Sequence, residues 1–233
     1  MGSMALRKLD FDRISARYRT VTEPARPFAD EAKIRIIAAA ESLYAVRSIE
    51  SVSLREIAQS AGHANTNAVQ YHFGNRDALV QAIFAWRVWQ MEPARALLLE
   101  EADRSGLGDD LHALLGVLCI PMLDLVDAEG RHTYAAFMSK YLLQQRPAGI
   151  LHAAENRPDI SVNLRTTIAR LSSLISADET MSDYRIALAY MMVTNVLVIC
   201  DNEGVSRSNP VQLRQRFDTA LAMAAVALER GRG

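Results

Sequence analysis

The stretch SLREIAQSAGHANTNAVQYHFGNRDAL, residues 53–79, limits what this chain can fold into more than any other. Ser53 followed three residues later by Glu56 is a capping box, the S-x-x-E pattern that starts a helix. Leu54, Ile57 and Ala58 then share one helical face. Ala61-Gly62 interrupts that face after barely two turns, and glycine tolerates the left-handed backbone that a tight reversal requires. The spacing predicts a second short helix over residues 65–72, with Ala68, Val69 and Phe73 inward and Asn65, Thr66, Asn67, Gln70 and Tyr71 outward. Two short helices joined by a glycine-bearing turn make a helix-turn-helix, whose second helix enters a DNA major groove.

Within that unit the side chains suggest roles. The guanidinium of Arg55 can match a phosphate or a guanine edge, though it also fits an exposed helix charge. Asn65, Thr66, Asn67 and Gln70 suit base edges, since Asn and Gln offer adenine a donor and an acceptor together. Each alone equally fits plain helix polarity, and Asn65 fits an N-cap, which would remove it from readout. Asn75 fits the cap of the next helix, and Asp77 in the first turn suits the helix dipole. The backbone N–H groups there, with Arg76, would form a phosphate site.

The run from Ile57-Ala58 through Ala61-Gly62 to Ala68-Val69-Gln70-Tyr71-His72-Phe73-Gly74-Asn75-Arg76-Asp77-Ala78-Leu79 resembles the amino-terminal DNA-binding domain of TetR-family transcriptional regulators. The resemblance covers residues 30–83. It implies that Tyr71 and His72 act as the family's aromatic pair on the sugar-phosphate backbone. Between Gly62 and Phe73 this chain is one residue longer than the commonest family pattern, which leaves the start of the recognition helix open.

The remainder reads as helix throughout, without strand-like alternation or internal repeats. A chain of 233 residues holds a small head and a larger body, and half of its residues are hydrophobic. A net charge of −1 excludes binding nucleic acid by bulk attraction, so DNA contacts must be local. Cys119 and Cys200, both in apolar runs, read as reduced core thiols. The absence of an uninterrupted apolar span and of a leader-like start leads to the expectation of a soluble, cytoplasmic protein without membrane contact. Residues 1–29 form a basic arm, including Arg7, Arg13, Arg17 and Arg26, that fits a solvated tail or a segment touching DNA beside the head.

The expected architecture is all-α with about nine helices, a three-helix head at 30–79 and a body at 80–233. The first helix, residues 30–47, turns Ile34, Ile37, Ala38, Leu43 and Tyr44 inward. A connecting helix over 76–103 carries Trp86, Trp89 and Met91 and is kinked by Pro93. Further helices are expected at 110–127, kinked at Pro121, and at 131–145, 161–176, 182–201 and 210–230.

The last two helices carry too much apolar surface for a thin layer. The resemblance implies a four-helix interface with a second copy, and the residues expected there are Met191, Phe217, Leu221, Ala224 and Leu228. The other reading is an ordinary internal packing pair. Trp89, Met122, Phe137, Met138, Tyr141, Met192 and Asn195 are candidates to line a cavity for a small apolar or amphipathic effector, although such residues also make ordinary core. The histidines His112, His132 and His152 show no metal-ligand spacing with Cys119, and no cofactor is expected. Enzyme signatures such as G-x-S-x-G, a P-loop or H-E-x-x-H are missing. The expected function is therefore a homodimeric repressor released from a palindromic operator by a small molecule. The competing class is a small-molecule carrier or interaction module without specific DNA binding.

Overall fold

A computed structural model describes residues 27–144, 157–175 and 178–230. Among the described residues it contains ten α-helices and no strand, so the fold is all-α. The arm at 1–26 and His152 lie outside the described residues.

α1 spans Glu31–Val46, and its N-cap Asp30 accepts the Ala32 amide at 2.9 Å. Its buried face is Ile36, Ile37, Ala40, Glu41 and Tyr44, whereas Ala38 is exposed and Ile34 and Leu43 are half-buried. The expected stripe was thus rotated, because helical periodicity centres on positions 36, 37, 40 and 44. α2 spans Leu54–Ser60, with the Ser53 hydroxyl accepting the Glu56 amide at 3.1 Å. The Glu56 carboxylate does not return to the cap but pairs with Arg47. α3 spans Ala68–Phe73 and ends at Gly74, whose φ of 79° is the left-handed conformation that lets the chain turn into the next helix.

α4, Arg76–Arg104, is the long connecting helix; Asn75 caps it by accepting the Ala78 amide at 2.8 Å, and it runs through Pro93. α5, Leu111–Cys119, gives way to a 3-10 segment, Ile120–Asp124. The single kinked helix expected over 110–127 therefore changes type beside Pro121, where a backbone donor is lost. α6 is Thr133–Gln144, α7 Val162–Ile175, α8 Glu179–Asn202 and α10 Pro210–Arg230. The linker before α10 holds a short α9, Val205–Ser208, which starts at Gly204.

One apolar cluster runs from Ile37, Tyr44 and Val69 in the head through Phe84 and Phe137 to Leu197 and Phe217. α1 packs on α6, and α8 packs on α10 and α6, so the head is not a separate ball on a tether. α8 is long and apolar enough by length and composition to cross a membrane, contrary to the expectation from sequence. It lies within the bundle, against α6, α7 and α10.

Candidate functional site

The second helix of the helix-turn-helix starts three residues later than expected. Asn67 is its N-cap, and the side chain of Asn65 is occupied in accepting the Asn67 amide at 2.9 Å. Asn65 therefore shapes the turn, and Thr66, half-buried, precedes the helix. Ala68 and Val69 hold α3 to the head, while Asn67, Gln70 and Tyr71 face outward. Tyr71 is 83% exposed. Arg55 on α2 is exposed, and no ion pair holds it among the described residues.

Two expected DNA contacts are used internally. Arg76 turns into the head, where its Nη2 donates to the Val52 carbonyl at 3.0 Å. Burial pushes the nearby Tyr44 hydroxyl up, partly offset by the Arg76 charge. His72 is mostly covered, with Nδ1 3.5 Å from Asp30 at the start of α1. Of the expected contacts, Arg55, Asn67, Gln70 and Tyr71 stand exposed, a group of hydrogen-bonding side chains with one aromatic ring.

The head is joined to the body by a polar clamp that sequence reasoning missed. Glu41 of α1, only 1% exposed, accepts from Arg87 Nε at 2.6 Å and Nη2 at 2.7 Å. The Thr133 hydroxyl at the start of α6 donates to the same carboxylate at 2.6 Å. Three elements from both parts of the chain thus share one buried charge. Near it, an open cavity of about 350 Å³ lies between α1, the start of α6 and the end of α8, lined by Val46, His132, Lys140, Val198 and Asp201 among others. None of the residues expected to bind an effector lines it.

Those expected effector residues do not form one lining. Trp89 stacks on Trp86 at 4.9 Å, and Trp86 meets Phe28. Phe137 and Tyr141 sit with Phe84 in an aromatic cluster, the closest rings 4.8 Å apart, and Met138 is buried with them in the core. Met122 accepts the Tyr190 hydroxyl through its sulfur at 3.3 Å. Asn195 accepts from the Ser139 hydroxyl at 2.8 Å. Met192 is 41% exposed on the outside of α8, too far round the helix to line an interior.

The interface candidates need a similar correction. Phe217, Leu221, Ala224 and Leu228 are buried within the single chain, because α10 spends that face on α8 and α5. Met191 is half-buried. The large apolar side chains left uncovered are Met181, Tyr184, Leu188, Met192 and Ile199 on α8, with Val211, Met223 and Val226 on α10. Cys119 and Cys200 are buried free thiols.

Residues 36–83 match a family described as bacterial regulatory proteins, tetR family. Among curated proteins no match is found. The matched segment begins within α1 and ends early in α4, and so contains the whole helix-turn-helix. Residues 36–83 thus carry a helix-turn-helix of the tetR family whose second helix turns polar side chains to solvent, which supports a DNA-binding transcriptional regulator of that family.

Proposed function

We propose that the protein is a homodimeric, ligand-responsive repressor that acts in the cytoplasm, with residues 30–79 as reading head and 80–233 as effector and dimerisation body. The observation that carries this reading is the uncovered stripe Tyr184, Leu188, Met192, Ile199 on α8. Its steps of four, four and seven residues keep these side chains on one side of the helix. A second copy related by a two-fold axis would cover it with the same face. The symmetry also answers a need of the head, since α3 is only six residues long and reads few base pairs. A pair of heads about 34–36 Å apart spans one turn of DNA and reads a palindrome.

The Glu41–Arg87–Thr133 clamp supports the response to ligand. It fixes α1 to both α4 and α6, so a shift of either body helix changes the angle of the head. A coupling of about 1–3 kcal/mol would weaken operator binding about 5–150-fold. Sedimentation at micromolar concentration together with mobility shift on DNA flanking the gene tests the proposal. A dimer that specifically retards such DNA is expected; a monomer, or a dimer that retards all DNA alike, contradicts it.

A further inference from the structure

Arg95, on the body half of α4, is 2% exposed. Removing a guanidinium from water costs several kcal/mol unless good partners replace the water. Arginine has five N–H donors, and this one is poorly served. Nη1 lies 3.4 Å from a Glu92 oxygen and Nη2 3.4 Å from the Met91 sulfur, while the buried Nε has no partner. The contact to Glu92 is long, and a thioether is a weak acceptor.

Glu92 cannot do more, because it is committed elsewhere. One of its oxygens accepts the Asn163 amide at 2.8 Å and the Asn163 side chain at 3.0 Å. The other accepts the Leu164 amide at 3.0 Å. The carboxylate therefore caps the start of α7, where it also meets the positive end of the helix dipole.

The groups that feel the Arg95 charge are Cys119 of α5, Tyr134 of α6 and Tyr190 of α8. Burial pushes all three well up, so they stay protonated and supply no negative charge. The Tyr190 hydroxyl, too, is spent only on a sulfur, that of Met122. Arg87, which also acts on Tyr134, is already neutralised by Glu41. Arg95 thus has one long ion pair, to a Glu92 carboxylate shared with three other donors, and a buried Nε–H without an acceptor.

We propose that Arg95 anchors an anion site inside the body, and that the molecule bound there is an organic acid, an apolar skeleton ending in a carboxylate. Two carboxylate oxygens match the guanidinium fork, and Met91 and Met122 give adaptable apolar walls. A guanidinium already paired at 3.4 Å with one carboxylate suits a monoanion better than a phosphate ester. The proposal rests on the reading of the body as an effector domain.

The test is thermal unfolding of the full-length protein at fixed pH with benzoate, phenylacetate, hexanoate and decanoate, each against its primary amide. At least one acid should raise the parent's Tm saturably while its amide does not. Arg95→Met, which keeps the bulk and removes the charge, should unfold without ligand at the parent's temperature or above. It should bind that acid on the order of tenfold to a hundredfold more weakly. Arg95→Lys should recover part of the acid shift. The proposal is overturned if no acid exceeds its amide in the parent, if Arg95→Met responds like the parent, or if Arg95→Met unfolds well below it. A mobility shift with the same acid separates the two readings: an Arg95-dependent acid that leaves DNA binding unchanged removes the repressor response and keeps the site.

Discussion

α4 carries two arginines turned from solvent, one half-buried at the head–body junction and one buried inside the body, and they are treated in opposite ways. Arg87 is fully engaged: two of its nitrogens hold Glu41 at 2.6 and 2.7 Å, and a third donates to Gln90 at 2.8 Å. Arg95 has only contacts of 3.4 Å and an orphaned Nε. A charge satisfied by the protein's own groups acts as a lock. One left short of acceptors lowers stability until something else supplies them. The same helix thus holds the head in place at one point and keeps capacity for a ligand at another.

Breaking the lock should have the largest effect. Glu41→Ala strands the Arg87 charge at a half-buried site and should cost about 2–4 kcal/mol in urea unfolding. The double variant Glu41→Leu/Arg87→Met removes both charges and should regain most of that loss. If Glu41→Ala costs no more than Arg95→Met, the contrast between the two arginines fails.

Next in size is the uncovered face of α8. Leu188→Arg places a charge where a second copy would sit, and in a two-fold interface each dimer receives it twice. Sedimentation should show monomers at concentrations where the parent is dimeric, with thermal stability little changed because Leu188 is exposed in the single chain. Unchanged dimers would move the interface elsewhere.

Smaller effects are expected on the reading face. Gln70→Ala should lose about 1–3 kcal/mol of preference for the operator over a mismatched site. Tyr71→Ala should weaken all sites alike. Arg76→Ala, by contrast, should lower the head's stability, since its guanidinium holds the Val52 carbonyl.

The smallest expected effect concerns pH. Burial pushes the Asp201 carboxyl up, but hydrogen bonds, the strongest from His132, outweigh this and hold it below the usual carboxylate range. The folded state therefore favours the ionised form. That contribution is complete above the ordinary carboxylate pKa and is lost as pH falls through the depressed folded value. Asp201→Asn should cost about 1–2 kcal/mol at neutral pH and flatten this part of the acid slope of stability.

How much could be read from sequence follows from how local each feature is. The Ser53 cap, the turn at Gly62 and the Asn75 cap involve neighbours within a few residues, and all appear where the pattern placed them. The internal bond of Arg76 could not be read, because the carbonyl it holds belongs to Val52, 24 residues earlier. Glu41 meets Arg87 46 residues away and Thr133 92 residues away, and no spacing rule links them. For α10 the apolar face was evident, but whether its neighbour would be α8 or a second copy is a tertiary question. Arg95 did leave a signal, a Glu and an Arg three residues apart in an otherwise apolar run, 91–99. Composition alone could not tell that the Glu was already spent on α7.

The central claim is that α3 presents a surface that reads duplex DNA. The most direct measurement is a mobility shift on DNA flanking the gene, across a salt series, comparing the parent with a Gln70→Ala/Tyr71→Ala variant. A specific complex that weakens with salt in the parent and is lost in the double variant is the predicted result. Equal retardation of parent and variant, or no preference of the parent for any sequence, would contradict the claim.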